Sequence, residues 1–183
     1  MNVAVLMSTY NGEKYIKEQI ESILGQENVS VEIFIRDDGS IDHTVDIVEK
    51  YDNINIIRGE NIGVGNSFME LVYKVPNSFE FYAFADQDDI WLNNKMEKGI
   101  EKIRHQKGPI LYCSNQRLID KYGSEIGVRF NRNPDLSSEK IFVQNSATGC
   151  TMIWNRELQN ILLKKGQQKN YYIAEYMMFG LLW

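Results

Sequence analysis

The chain has 183 residues, 43% of them hydrophobic and 25% charged, with a net charge of -5. A chain of this length buries one substantial core, so a single domain over residues 1–183 is expected, and the composition excludes both disorder and a fibrous repeat. The acidic balance removes the general attraction exerted by nucleic acid or an anionic lipid surface, so no nucleic-acid partner is expected and any anionic ligand must be held locally.

The chain opens with the strand-like Val3-Ala4-Val5-Leu6-Met7 and turns polar at Ser8, too short an apolar run for a signal peptide and without its basic start. A helix is predicted over Glu13 to Gln26, where Ile16, Ile20, Ile23 and Leu24 share one face. Val31 to Ile35 reads as the next strand. Asp42 to Tyr51 reads as a helix with a weaker stripe (Thr44, Val45, Ile47, Val48) and Ser40 as its N-cap. A strand over Ile54 to Ile57 follows, then a helix striped by Phe68, Leu71, Val72 and Val75 and stopped by Pro76. Phe81 to Ala85 reads as a buried strand, and Met96, Ile100 and Ile103 stripe the helix after it. Fully apolar strands alternating with helices predict an α/β fold, a mostly parallel sheet with helices on both faces.

The second half changes character. Ile110 to Asn115 and Thr148 to Trp154 read as strands, the segment from Asp120 as a turn and Asn131 to Ser138 as loop, while Arg156 to Lys164 and Tyr171 to Leu182 read as helices. The chain stops at Trp183 inside an apolar, helix-like segment without a stop signal, so a protein truncated at its carboxyl end is expected. Cys113 and Cys150 have neither metal-ligand spacing nor a disulfide framework and read as small buried residues in a reducing compartment. No stretch approaches transmembrane length. The expected location is the cytoplasm, with the inner face of the membrane open to it as a peripheral site.

In an open parallel sheet, ligands bind beyond the carboxyl ends of the strands. Here each strand of the first half is followed by a polar cluster: Ser8-Thr9-Tyr10-Asn11-Gly12, then Arg36-Asp37-Asp38-Gly39-Ser40, then Arg58-Gly59-Glu60-Asn61 with Gly63, then Asp86-Gln87-Asp88-Asp89. All four should line one crevice. A divalent cation turns the repulsion among Asp86, Asp88 and Asp89 into shared coordination, and oxygen ligands suit Mn2+ or Mg2+. The same residues also read as a solvated acidic turn with Asp89 capping the next helix. Asp37 and Asp38 could accept hydrogen bonds from a base or ribose, or close an ordinary turn. Tyr10 could stack on a base, and Arg58 could offset diphosphate charge or lie on the surface. Trp91 and Trp154 read as core packing.

The segments "VLMSTYNGEKYIKEQIESILGQ" from Val5, "IFIRDDGSIDHT" from Ile33, "NIGVGNSF" from Asn61, "FADQDDIWLNNKM" from Phe84 and "TGCTMIWNREL" from Thr148 together resemble the family 2 glycosyltransferases, inverting enzymes of the Rossmann-like GT-A fold, across nearly the whole chain. The "DQDDIW" form resembles the rhamnosyltransferase-like members that build bacterial surface polysaccharides. The resemblance implies a nucleotide-diphosphate-sugar half, residues 1–92, and an acceptor half, residues 93–183. It places Thr9, Tyr10 and Glu13 near the base, with Asp38, joined by Asp37, recognising it. It completes the donor set with Arg58, Asn61, Gly63, Asp86 and Gln87. Asp88 is the first metal ligand with Asp86, and Asp89 stands behind them or caps the helix. It also implies a glycan or lipid-linked acceptor, a loop on its side at Gly149 and Cys150, and a general base in "IAEYM", which makes Glu175 the catalytic candidate and Tyr176 its aromatic neighbour. Ala174 departs from the family pattern, which has an acidic residue or His there, and Glu175 stands where Asp is commoner.

Two other functions fit parts of the pattern. A nucleotidyltransferase making a nucleotide sugar also uses an acidic pair and a metal, but "STYNGEKY" has one glycine where such enzymes have a glycine-rich basic loop. A catalytically impaired nucleotide-sugar-binding module fits Ala174. A Rossmann oxidoreductase fails because no G-x-G-x-x-G follows the first strand.

Overall fold

A computed structural model describes residues 1–131 and 148–167. The elements are β1 (Asn2–Thr9), α1 (Ile16–Leu24), β2 (Ser30–Asp37), α2 (Thr44–Val48), β3 (Ile54–Arg58), α3 (Val64–Lys74), β4 (Phe81–Ala85), α4 (Lys95–Ile103), β5 (Leu111–Cys113), β6 (Arg117–Ile119), β7 (Glu125–Val128), a 3-10 turn at Gly149–Thr151, β8 (Met152–Asn155) and α5 (Arg156–Gln167). The main sheet has six strands in the order β3-β2-β1-β4-β8-β5, and β6 pairs with β7 in a separate hairpin. β1 is parallel to β2 and β4, and β2 to β3, whereas β8 runs antiparallel to both β4 and β5. The second half of the chain thus extends the sheet begun by the first.

Both faces of β1, β2 and β4 are buried over most of their length, which explains why these strands are apolar at successive positions rather than at alternate ones. On one face Val3, Val5, Met7, Ile33, Ile35, Ala83 and Ala85 pack with Ile16, Ile20 and Ile23 of α1 and Met96, Ile100 and Ile103 of α4. On the other, Ala4, Leu6, Phe34, Tyr82 and Phe84 pack with Phe68, Leu71 and Val72 of α3 and Leu162 of α5. Both predicted core tryptophans are buried, Trp91 on the first face and Trp154 on the second, where Trp154 stacks on Tyr82 with ring centroids 5.8 Å apart.

The departures are at element ends. α1 starts at Ile16 rather than Glu13, because the backbone first turns at Gly12, whose carbonyl accepts the N–H groups of Tyr15 and Ile16. Ser40 does not cap α2: its side chain bonds Asn11 and Asp37, and the N–H of Thr44 is satisfied by Asp42 instead. β8 begins at Met152, since Gly149–Thr151 coil into the 3-10 turn. Pro76 ends α3 as expected, with Val75 already extended at φ -67° and ψ 135°, the conformation the residue before a proline prefers. The helix predicted over Tyr171 to Leu182 and most of the Asn131 to Ser138 loop lie outside the described residues. Among the described residues no helix is long and apolar enough to cross a membrane.

β1 lies between β2 and β4, so the winding direction reverses between β1 and β4. At such a switch the loops leaving the two strands part in opposite directions and open a crevice at their carboxyl ends.

Candidate functional site

Tyr10 to Gly12 after β1 and Asp86 to Asp89 after β4 border this crevice, and one side chain joins them. Gln87 accepts the Tyr10 N–H at 3.0 Å through Oε1 and donates to the Tyr10 carbonyl at 3.2 Å through Nε2. Gly12 is a glycine for the same reason: a Cβ there would stand 2.4 Å from Gln87 Oε1. Asn11, at φ 49°, turns the loop back so that its N–H reaches Ser40 Oγ at 2.9 Å and its Oδ1 accepts the Ile41 N–H at 2.9 Å. Glu13 and the 42–43 segment tie reciprocally, Glu13 N–H to Asp42 and His43 N–H to Glu13, each at 3.0 Å. The Tyr10 ring remains exposed.

Asp37 and Asp38 take a different place from the one expected. Both are 3% exposed. Asp37 accepts from Thr9 Oγ1 (3.1 Å), Ser40 Oγ (2.5 Å) and the N–H groups of Gly39 (3.2 Å) and Ser40 (2.9 Å). Asp38 accepts from Arg36, Ser67 Oγ (2.9 Å) and the N–H groups of Ile62 and Gly63 (3.0 Å each). A carboxylate has about four acceptor positions, so protein donors fill both groups. Where Asp37 and Asp38 are expected from the sequence to recognise a base, the structure has them fastening the loops after β1, β2 and β3 to one another. Thr9, 1% exposed, belongs to that fastening. Arg58, expected to offset diphosphate charge or lie on the surface, is exposed and forms an ion pair with Glu49. Asn61 and Gly63 stay at the surface of the loop that Asp38 holds.

The acidic loop also differs in detail. Asp88 is exposed, while Asp86 and Asp89 are half-buried, and one carboxylate oxygen of each lies within 4.8 Å of the other and of Cys150 Sγ. The pair expected from the sequence, Asp86 with Asp88, is replaced as the close cluster by Asp86 with Asp89. Asp89 does not cap α4, whose N-cap is Asn94. Burial, with repulsion from Asp89 and Asp88, pushes Asp86 up to about 6 against a thiol hydrogen bond from Cys150 and the charge of Lys95. Burial and the carboxylates of Asp86 and Asp89 push the Cys150 thiol up, so it stays protonated. Lys95 donates from Nζ to the Cys150 carbonyl at 2.6 Å and lies 3.6 Å from the Trp91 ring centroid; burial lowers its pKa to about 8.

The donor chemistry fits a hard divalent cation. Two ionisable oxygen ligands stand together at a site where burial first, and their mutual repulsion second, raise Asp86, and a protonated thiol is no ligand for Mn2+ or Mg2+. Asp86 and Asp89 would hold such an ion, with Asp88 beside them on the open side.

Three polar side chains, Gln19 and Ser22 of α1 and Gln26 just past its end, not singled out in the sequence, hold this loop in shape. Gln19 Nε2 donates to the Asp86 carbonyl at 3.0 Å, Ser22 Oγ accepts the Trp91 N–H at 3.0 Å, and Gln26 donates to the Leu92 carbonyl at 2.8 Å while accepting the Met96 N–H at 2.9 Å. The signal was present: Gln19 sits three residues after Ile16 and four before Ile23, inside the apolar stripe, where a buried amide requires a partner. Gln19→Leu leaves the Asp86 carbonyl without its donor and is expected to lower stability by about 1–3 kcal/mol. The accompanying hydrogen exchange of residues 86–96 should speed up, read by mass spectrometry. Glu175, Ala174 and Tyr176 lie outside the described residues.

The sequence pattern of the family described as "Glycosyl transferase family 2" matches residues 4–161. The chain is 31% identical over 159 residues to the dTDP-rhamnosyl transferase RfbG of Shigella flexneri, a match covering 82% of this chain and 54% of RfbG. Among solved structures, S. aureus TarS 1-349 in complex with UDP-GlcNAc superimposes with a TM-score of 0.66 at 25% identity, covering 91% of this chain and 48% of that one. The mannosyltransferase PcManGT from Pyrobaculum calidifontis, solved with GDP-Man and Mn2+, shares the fold with a TM-score of 0.60 at 19% identity over 87% of this chain and 46% of that one. The chain therefore spans about half the length of these proteins.

Proposed function

From the premise that the chain belongs to glycosyl transferase family 2 and has its GT-A fold, we propose that it is the donor-binding part of a metal-dependent inverting glycosyltransferase of surface-polysaccharide synthesis, working in the cytoplasm or at the inner face of the membrane. The donor is a UDP- or dTDP-sugar and the acceptor a glycan or lipid-linked glycan. The observation that carries this reading is the joining of the β1 and β4 loops at the switch of the sheet, with Asp86, Asp88 and Asp89 beside the Gln87–Tyr10 latch. The names of similar proteins support it: RfbG is a dTDP-rhamnosyl transferase, and TarS was solved with UDP-GlcNAc.

Tyr10 offers its exposed ring to the base, and Glu13, Asn61 and Gly63 border the same opening. Thr9, Asp37 and Asp38 act one step removed, by fixing the loops that shape it. Asp86 and Asp89 would hold Mn2+ or Mg2+, with the exposed Asp88 next to them in the same loop. When bound, the ion supplies positive charge against the departing nucleoside diphosphate. The acceptor oxygen forms a bond to the anomeric carbon as the bond to the diphosphate oxygen breaks, and Glu175 takes the hydroxyl proton as general base.

Calorimetric titration of UDP and dTDP, with and without Mn2+, tests the reading on wild type and Asp88→Ala. Binding of one nucleotide that depends on Mn2+ and weakens about tenfold or more in the variant is expected. Equal, metal-independent binding by both proteins overturns it.

A further inference from the structure

We propose that Lys95 is the internal counter-cation of the acidic loop, and that its charge makes a divalent cation bind together with a nucleoside diphosphate rather than ahead of it. The inference rests on the donor reading above and adds an order of binding to it.

The geometry fixes the ammonium in place. Nζ bonds the Cys150 carbonyl at 2.6 Å and lies 3.6 Å from the centroid of the Trp91 ring, while Cys150 Sγ is within 4.8 Å of carboxylate oxygens of Asp86 and Asp89. Cys150 thus touches the ammonium through its carbonyl and stands beside both carboxylates through its sulfur, and the charges of Lys95, Asp86 and Asp89 act on one another across it. Fold stability does not ask for a lysine here. Lys95 is the first residue of α4, where the helix dipole favours an anion over a cation, and burial disfavours its charged form. What offsets both penalties is the contact with Cys150, the face of the Trp91 ring and attraction to Asp89 and Asp86, and that attraction also steadies the two carboxylates before any ligand arrives.

A bare divalent cation entering this cluster is attracted by the carboxylates but repelled by the ammonium held on the carbonyl of the neighbouring Cys150. In a partly dry site that repulsion weakens cation binding by about tenfold or more. A diphosphate reverses the sign: its negative charge is attracted by both the ammonium and the metal. The cation then enters as part of a neutralised unit. A methionine of similar length at position 95 removes the repulsion and with it the dependence on nucleotide.

The test follows free Mn2+ by electron paramagnetic resonance during titration of wild type, Lys95→Met, Lys95→Gln and Lys95→Arg, each with and without UDP. Wild type should bind bare Mn2+ weakly, and UDP should tighten it at least tenfold. Lys95→Met should bind bare Mn2+ about tenfold more tightly than wild type, with most of the UDP effect gone. Lys95→Gln, which keeps a donor for the Cys150 carbonyl, does the same if the methionine variant fails to fold, and Lys95→Arg should keep the wild-type pattern. Folded uncharged variants that bind bare Mn2+ no more tightly than wild type, or an arginine variant that behaves like methionine, overturn the proposal. Mn2+ bound by none of the four proteins also overturns it. If wild type binds Mn2+ but neither UDP nor dTDP, titrated in the same way, influences it, the donor reading falls, while the comparison of bare Mn2+ affinities still decides the electrostatic role of Lys95.

Discussion

Asp86→Asn is expected to weaken metal-dependent nucleotide binding at least a hundredfold and, at neutral pH, to make the folded protein more stable than wild type. The two effects share a cause. Burial and the neighbouring Asp89 and Asp88 raise Asp86 from an ordinary 3.8 to about 6. Between those values the folded chain holds a proton that the unfolded chain has released, so stability falls as pH rises through the window, by about 1.4 kcal/mol per pH unit at most. Below about pH 4 the group is protonated in both states and the penalty vanishes. Above 6 it is fully present, on the order of 1–3 kcal/mol. Asparagine keeps the shape and an oxygen for the Cys150 thiol but carries no charge, so it escapes the penalty and also gives up the cation. Urea unfolding of the two proteins should therefore converge near pH 3.5, below the unfolded value, and separate at pH 7.5, with the variant the more stable. In wild type, Mn2+ binding should weaken as pH falls through about 6. A variant less stable than wild type at pH 7.5 would mean that Asp86 is not held against its own charge.

Arg36→Met should destabilise the fold by about 3–5 kcal/mol, because it removes one partner of a buried ion pair and leaves the other. Arg36 and Asp38 each have a side chain 4% exposed, and Arg36 also holds Glu70 Oε2 at 3.1 Å and the Glu60 carbonyl at 2.9 Å. Asp38 would keep the donors Ile62 N–H, Gly63 N–H and Ser67 Oγ but lose the only cation bonded to it among the described residues. The loop 60–63 borders the proposed donor opening, so nucleotide binding should weaken with stability. Gly59 supplies a specific check. A Cβ there would meet Arg36 Nη2 at 2.6 Å, so Gly59→Ala should be damaging in wild type and mild in Arg36→Met. Urea unfolding of the four proteins in this cycle isolates the coupling. A loss under about 1 kcal/mol for Arg36→Met would remove the ion pair from the account of this loop.

The alternation of strands and helices was legible because it is local. A fully apolar run such as Phe81 to Ala85 and a stripe such as Ile16, Ile20 and Ile23 carry their periodicity within a few residues, and both kinds of element formed where expected. Family membership was legible for the same reason, since the motifs are short and follow the strands. The direction in which a polar side chain faces was not. Asp37 and Asp38 are adjacent to the crevice in sequence, yet both turn inward, because Thr9 on the neighbouring strand and the amides of residues 62 and 63 supply donors that only sheet pairing brings near. Asp89 joined Asp86 rather than capping a helix because β8 inserts beside β4 and carries Cys150 to the loop from more than sixty positions away. By itself, the sequence determined the elements, their order and the carboxyl-edge loops that bear the polar residues. Only the tertiary structure decided which of those residues face each other, because strand order and antiparallel insertion are properties of long-range contacts, and a carboxylate takes its role from the donors and charges that those contacts place within a few ångströms of it.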